Sequence, residues 1–181
     1  MRTAAWTTCE SPIGALTVVA GPRGVTAIHF AGHVPRLAAE EQQPLEDAAG
    51  QLAQYFAGER RSFELELDPS GTPLQLAVWR LLWEIPYGET TTYGEIAAQV
   101  DPSLYGAGVE EYERPREVGA AIGSNPIPVV VPCHRVIGAD GSLTGYFGGL
   151  ERKRILLDLE SGSEAGWAPA PKQASGQTTL L

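Results

Sequence analysis

The chain has 181 residues, 43% hydrophobic and 19% charged, a balance that suits a folded protein with a real core. No apolar run approaches the roughly 20 residues of a membrane-spanning helix, and the start, Met1-Arg2-Thr3-Ala4-Ala5-Trp6, lacks the basic stretch and apolar core of a signal peptide. The net charge of −9 argues at first against nucleic acid, but residues 114–154 hold six basic and three acidic side chains, which leaves −12 on the rest of the chain. A locally basic face still meets phosphate, with weak long-range steering.

In chain order, Arg2–Cys9, Ala15–Ala20 and Val25–Phe30 read as short strands rich in Thr, Val and Ile, separated by the turns Ser11-Pro12-Ile13-Gly14 and Gly21-Pro22-Arg23-Gly24. Leu45, Ala48, Ala49, Leu52 and Phe56 recur at helical spacing. Phe63-Glu64-Leu65-Glu66-Leu67 alternates like a half-buried strand, and Asp68-Pro69-Ser70-Gly71 marks a boundary. Thr72-Pro73 is an N-cap followed by proline at the first helical position. Leu74, Val78, Leu81, Leu82 and Ile85 give that helix one apolar face, and Pro86 and Gly88 stop it. Further helices are predicted from Tyr93 to about Val100, from Pro115 to about Ser124, and over Glu151–Glu160. Val129-Val130-Val131 reads as an extended buried run, and Gly138–Ser142 as a turn. The organisation expected is an α/β domain at 1–70, a mainly helical domain at 71–162, and a disordered tail at 163–181.

The chemistry concentrates in Pro132-Cys133-His134-Arg135. A thiol attacks as thiolate, so it needs a base or a positive neighbour. Of three histidines, His29 and His33 fall in the α/β part, which leaves His134 as the base. In extended backbone adjacent side chains diverge, so a bridging water is the easier link between Cys133 and His134. Asp158 and Glu160 are the carboxylates placed to hold the imidazole. Cys9 and Cys133 make neither a disulfide framework nor a zinc spacing. No metal is expected, and a reducing cytoplasmic setting follows.

Pro132-Cys133-His134-Arg135-Val136-Ile137-Gly138 resembles the active-site motif of the O6-alkylguanine-DNA alkyltransferases. The resemblance runs over about residues 8–160. It includes Ser11-Pro12-Ile13-Gly14, Ile85–Thr90 with Tyr93-Gly94-Glu95-Ile96-Ala97, then Arg116, Val118-Gly119, Asn125-Pro126 and Gly145–Leu150. It implies a ribonuclease H-like N-terminal domain, with a three-stranded antiparallel sheet plus helix, and a C-terminal domain with a helix-turn-helix. It implies DNA repair by irreversible transfer of an alkyl group from O6-alkylguanine, and from O4-alkylthymine, in duplex DNA. No cofactor is implied, and a monomer is expected.

The resemblance also assigns roles. Cys133 is the acceptor, His134 the base acting through a water, and Glu160 the group that orients His134. Tyr93 donates its hydroxyl to guanine N3, the backbone N–H of Phe147 faces O6, and Arg116 enters the duplex in place of the flipped base. Asn125 ties the turn before the active-site segment. Gly119 lets its helix approach DNA, and Arg135 and Tyr146 join the substrate and DNA contacts.

One segment departs from the family pattern. Asp101–Glu113 is longer than the family's turn and carries four acidic residues and no base, and Glu117 stands where a small residue is usual. Three other readings compete: a cysteine acceptor for a different substrate, a damage-binding protein without transfer, and a transcription regulator using the helix-turn-helix alone, for which no sensory or dimerisation segment is seen. The second replaces the cysteine in known relatives, and here Cys133 is present.

Overall fold

The computed structural model describes residues 5–36 and 45–163, together with 166 and 168. Most of the tail expected to be disordered, and residues 2–4 of the first expected strand, lie outside the described residues. The N-terminal part is an antiparallel sheet of β1 (Ala5–Cys9), β2 (Leu16–Gly21) and β3 (Gly24–Phe30), in that order, followed by helix α1 (Glu46–Phe56). The central strand carries Leu16 and Val18 at no exposure, and α1 presents Ala48, Leu52 and Tyr55 to the same core. Burial of each large side chain stabilises by roughly 1.5–3 kcal/mol. The spacing i, i+4, i+7 of those three places them on one face of α1.

Residues 63–67 do not form the expected strand. Only Leu67 bridges, in parallel, to Val25, with Val25 N–H donating to Glu66 O at 2.8 Å. The alternating pattern was real, but it serves a strap along β3 rather than a fourth strand.

The C-terminal part is built from helices α2 (Pro73–Trp83), α3 (Tyr93–Gln99), α4 (Arg114–Gly123) and α5 (Leu150–Ser161), plus two short strands, β4 (Thr91–Thr92) and β5 (Val136–Ile137). Thr72 caps α2 with a reciprocal bond to Gln75, and Thr92 caps α3 in the same way with Glu95. These capping boxes satisfy N–H groups that a helix start otherwise leaves without partners. Trp79 of α2 donates its indole N–H to Ala121 O at 2.8 Å, which fixes α4 against α2. β4 pairs in parallel with β5, so the strand that leads into Tyr93 lies beside the one that follows Cys133–Arg135.

Val129–Val131 is not extended. Pro128 bridges Val131, and Val129 takes φ +72°, a conformation a β-branched residue rarely adopts. Asn125 holds this tight loop: its Nδ2 donates to Val131 O at 2.9 Å and its Oδ1 accepts from Ile127 N–H at 3.0 Å. The N-terminal sheet docks on the same loop, with Ile28 N–H donating to Pro126 O at 2.8 Å.

The acidic segment between α3 and α4 is folded. It holds two 3₁₀ turns, Pro102–Leu104 and Glu111–Glu113. Tyr105 is buried and donates to Ala97 O at 3.1 Å, and the Arg114 guanidinium lies 5.3 Å from its ring centroid. Tyr112 is 81% exposed.

Candidate active site

Cys133, His134 and Arg135 form one 3₁₀ turn, all three buried. Cys133 N–H donates to Val131 O and Arg135 N–H to Pro132 O, so the tight loop hands its geometry directly to the turn. The turn, rather than extended backbone, is what sends His134 inward. His134 Nε2 lies 2.8 Å from Glu160 Oε1. Arg135 grips the same carboxylate through Nε (2.8 Å) and Nη2 (2.9 Å), and Gly88 N–H reaches its Oε2 at 3.3 Å. Tyr55 of α1 donates to Oε1 at 2.6 Å. Glu160 is therefore the carboxylate of the two candidates that meets His134.

The electrostatics follow from this packing. Burial raises Glu160, but the hydrogen bonds and charges of His134 and Arg135 outweigh it and hold the carboxyl well below the usual carboxylate range. Burial lowers His134, against the opposing pull of Glu160. The consistent state is a Glu160 carboxylate paired with the Arg135 cation and a neutral imidazole. Nε2 then carries the proton toward Glu160, and Nδ1, which has no protein partner, keeps its lone pair. The Cys133 thiol is pushed up to about 11 by burial, against the hydrogen bond from Asn125, the charge of Lys153 and the local backbone N–H groups. Its resting form near neutrality is the thiol, so the reaction has to move a proton.

Arg135 does not face DNA. Its side chain is buried against Glu160, and Nη1 also donates to Ile85 O. The expectation that it contacts the duplex is corrected: an unpaired Glu160 in this interior would be far costlier than one surface contact fewer. Lys153 is likewise internal. Its Nζ donates to Val136 O at 2.6 Å and to Thr144 O at 2.8 Å, and burial lowers it to about 8. Two of the six basic residues counted for the basic face are thus not on it.

Tyr93 stands at the mouth of the site with its hydroxyl donating to Thr144 O at 3.0 Å. Gly119 of α4 lies against its ring, where an added Cβ would sit 3.7 Å away. That is ordinary van der Waals contact, so the ring of Tyr93 packs on α4 at this point without requiring glycine there. Tyr146 and Phe147, with Phe30, Asn125, Pro128 and Gly145, bound a cavity of about 10 Å³ onto which Cys133 opens. The Tyr146 hydroxyl is buried in this wall without a hydrogen-bond partner. Phe147 is 61% exposed and meets His33 edge-on at 5.1 Å. Arg116 points to solvent from the first turn of α4. Arg152 of α5 binds Ile13 O at 2.7 Å and Gly148 O at 2.8 Å, which explains the Ser11–Gly14 turn as an anchor for the segment before α5.

Sequence reasoning missed Lys153 and Tyr55. Lys153 was hidden in the run Arg152-Lys153-Arg154, which reads as a solvated face. Tyr55 was detectable as the third member of the Ala48, Leu52, Tyr55 series. Among the described residues no group of three or more His, Cys, Asp or Glu could hold a metal ion, and no helix is long and apolar enough to cross a membrane.

A sheet-plus-helix domain followed by a helical domain, with a buried cysteine next to a His134–Glu160–Arg135 cluster, defines the class of a thiol-bearing protein with a helix-turn-helix. Comparison with known proteins makes this specific. The profile described as "6-O-methylguanine DNA methyltransferase, ribonuclease-like domain" matches residues 4–69, and that described as "6-O-methylguanine DNA methyltransferase, DNA binding domain" matches residues 73–162. A methylated-DNA–protein-cysteine methyltransferase of Methanosarcina acetivorans is 44% identical over 156 residues, 83% of this chain and 94% of its own length. The crystal structure of the Mycobacterium tuberculosis O6-methylguanine methyltransferase superposes with a TM-score of 0.74 at 42% identity, covering 94% of this chain and 96% of that one. The Mycobacterium tuberculosis OGT in complex with DNA gives 0.72 at 44% identity, over 86% and 92%. The chain belongs to the 6-O-methylguanine DNA methyltransferase family.

Proposed function

We propose that this protein repairs DNA by taking the alkyl group of O6-alkylguanine in duplex DNA onto Cys133, once per molecule. The observation that supports it best is the buried Cys133–Arg135 turn, in which the thiol is followed by an imidazole whose Nε2 is held by Glu160, itself gripped by Arg135, and whose Nδ1 has no hydrogen-bond partner among the described residues. As substrate enters, the thiol proton passes through one water to His134 Nδ1. Sulfur then attacks the alkyl carbon; the S–C bond forms as the C–O6 bond breaks, and the electron pair goes to the purine. Tyr93, released from Thr144, donates to guanine N3 as charge builds on the leaving base. The alkyl group comes from the substrate and the thioether is stable, so the reaction balances without a co-reactant and consumes the protein. O4-alkylthymine presents the same bond to the same sulfur.

The damaged atom lies inside the base stack, so the nucleotide has to flip out at a cost of a few kcal/mol. Arg116, exposed on α4, fills the place of the departed base. A cavity of about 10 Å³ admits no purine, so the base enters with the Gly145–Phe147 segment displaced. Replacing Cys133 with Ala should abolish transfer of label from methylated duplex while leaving the fold intact. Continued transfer at Cys9 in that variant would overturn the assignment.

The acidic segment 101–113 enters this reading as a brake on DNA affinity. Because Tyr105 packs against α3, shortening the segment would damage the helix-turn-helix. The cleaner change is Glu111→Gln with Glu117→Gln, since both are exposed while Glu110 and Glu113 cap each other. Duplex affinity is expected to rise about two- to tenfold at low salt, with the gain shrinking as salt screens over roughly 8–10 Å. Weaker binding at every salt concentration would mean that these carboxylates assist recognition.

A further inference from the structure

Tyr55 is a buried polar group at this site to which the transfer chemistry gives no task. It comes from α1 of the N-terminal part, 105 residues before Glu160 in sequence, and its hydroxyl donates to Glu160 Oε1 at 2.6 Å. The same oxygen accepts from His134 Nε2 at 2.8 Å and from Arg135 Nη2 at 2.9 Å. The ring is wholly buried, set edge-on to Phe56 at 5.1 Å and Tyr87 at 6.1 Å and tilted on Phe63 at 5.3 Å. Packing alone would demand some partner for a buried phenol, and any backbone carbonyl would serve. The partner here is instead the anion that faces the base.

A neutral O–H donor draws charge from the carboxylate oxygen it binds. Oε1 then stabilises a protonated His134 less, and the imidazole stays neutral to lower pH. The other charged or titratable groups that face this cluster are Arg135 on the turn, Lys153 on α5 and Cys133 beside His134. Tyr146 faces it from the cavity wall, and Tyr87 from the loop after α2, with Arg61 5.5 Å from the Tyr87 ring centroid. Among them Tyr55, Tyr87 and Tyr146 bring neutral phenols near Glu160, but the hydroxyl of Tyr87 is committed to Leu159 O at 3.3 Å, and it is the hydroxyl of Tyr55 that donates to the carboxylate.

We propose that Tyr55 is a positioning residue for alkyl transfer, acting through Glu160 on His134, so that the N-terminal domain sets the pH range over which Cys133 gives up its proton. The inference rests on the reading of His134 as the base.

The test compares wild type, Tyr55→Phe and a variant with 3-fluorotyrosine at position 55. Single-turnover transfer from free O6-benzylguanine is measured from about pH 5 to about pH 9, with urea unfolding in parallel. Loss of the donor should move the acid limb of the rate profile up by about half a unit to one unit. The more acidic phenol of fluorotyrosine is the stronger donor and should move it down. The plateau rate should change by less than about threefold, since no reacting atom is touched. If both variants keep the wild-type limb while stability falls, Tyr55 is only structural and the proposal fails. If Tyr55→Phe does not fold, the fluorotyrosine variant decides alone. A wild-type profile with no acid limb, with transfer to Cys133 intact, would remove His134 as base and this inference with it.

Discussion

Glu160→Gln is expected to unfold far more easily than wild type, with a loss of about 3–5 kcal/mol near neutral pH, and to transfer no alkyl group. The carboxylate is 1% exposed and accepts from Tyr55, His134, Arg135 twice and Gly88. Glutamine offers one acceptor oxygen, and its NH₂ would point protons at the donors of Arg135 or His134. The greater loss is charge: the Arg135 guanidinium would remain buried with no counterion, and breaking a buried pair from one side costs in this range. Urea denaturation measures it; a midpoint within about 0.5 M of wild type would show that the interior relaxes to water and that the cluster is not the structural keystone described. The pH dependence carries the same information. Glu160 has its folded value depressed below an unfolded value of about 4.3, so its contribution is fully present above that value and is lost as pH falls toward the folded one. Wild type should lose stability more steeply than Glu160→Gln below about pH 4.3.

Arg116→Ala is expected to slow repair of O6-methylguanine in duplex DNA by about 10- to 100-fold and to leave reaction with free O6-benzylguanine within about twofold. Only the duplex requires a base to be flipped and its place filled. Arg116 is exposed at the start of α4, away from the Glu160 cluster, so its removal should not disturb the turn that holds Cys133. Single-turnover rates on the two substrates give the ratio. Equal losses on both would mean that Arg116 supports the fold of α4 and does not enter DNA.

The two arginines show what sequence can and cannot say about such a site. Arg116 and Arg135 are the same residue type in the same locally basic stretch, and nothing in their neighbours distinguishes a surface cation from an internal one. The difference is made by a 3₁₀ turn at Cys133–Arg135, which depends on Asn125 bonding Val131 and Ile127 across the Val129 kink. That kink was legible only as an apolar run. Helix starts fared better: Thr72-Pro73 carries its capping chemistry in adjacent residues, and the helix predicted from Tyr93 begins there. The three N-terminal strands were legible for the same local reason. Residues 63–67 misled because alternation reports a half-buried extended strap as readily as a ladder strand. The burial of Tyr55 was within reach of helical spacing, but its partner was not, since that contact lies 105 residues away; the place of Lys153 was out of reach because it is set by two backbone carbonyls, Val136 O and Thr144 O.

The basic face was also overestimated from sequence, since Arg135 and Lys153 are interior. On α4 itself the basic residues are Arg114, packed partly on Tyr105, and the exposed Arg116, and Glu117 on the same helix is exposed as well. Duplex binding through α4 is therefore expected to have a shallow salt dependence, because few phosphates would be neutralised there.

The most direct measurement is the mass of the intact protein, followed by peptide mapping, after incubation with excess duplex DNA carrying O6-methylguanine. Transfer as described predicts a gain of one methyl group per molecule, located on the peptide that contains Cys133, with the plateau unchanged by further substrate. Tight binding of the damaged duplex with no gain in mass, or a methyl group found on Cys9, would contradict it.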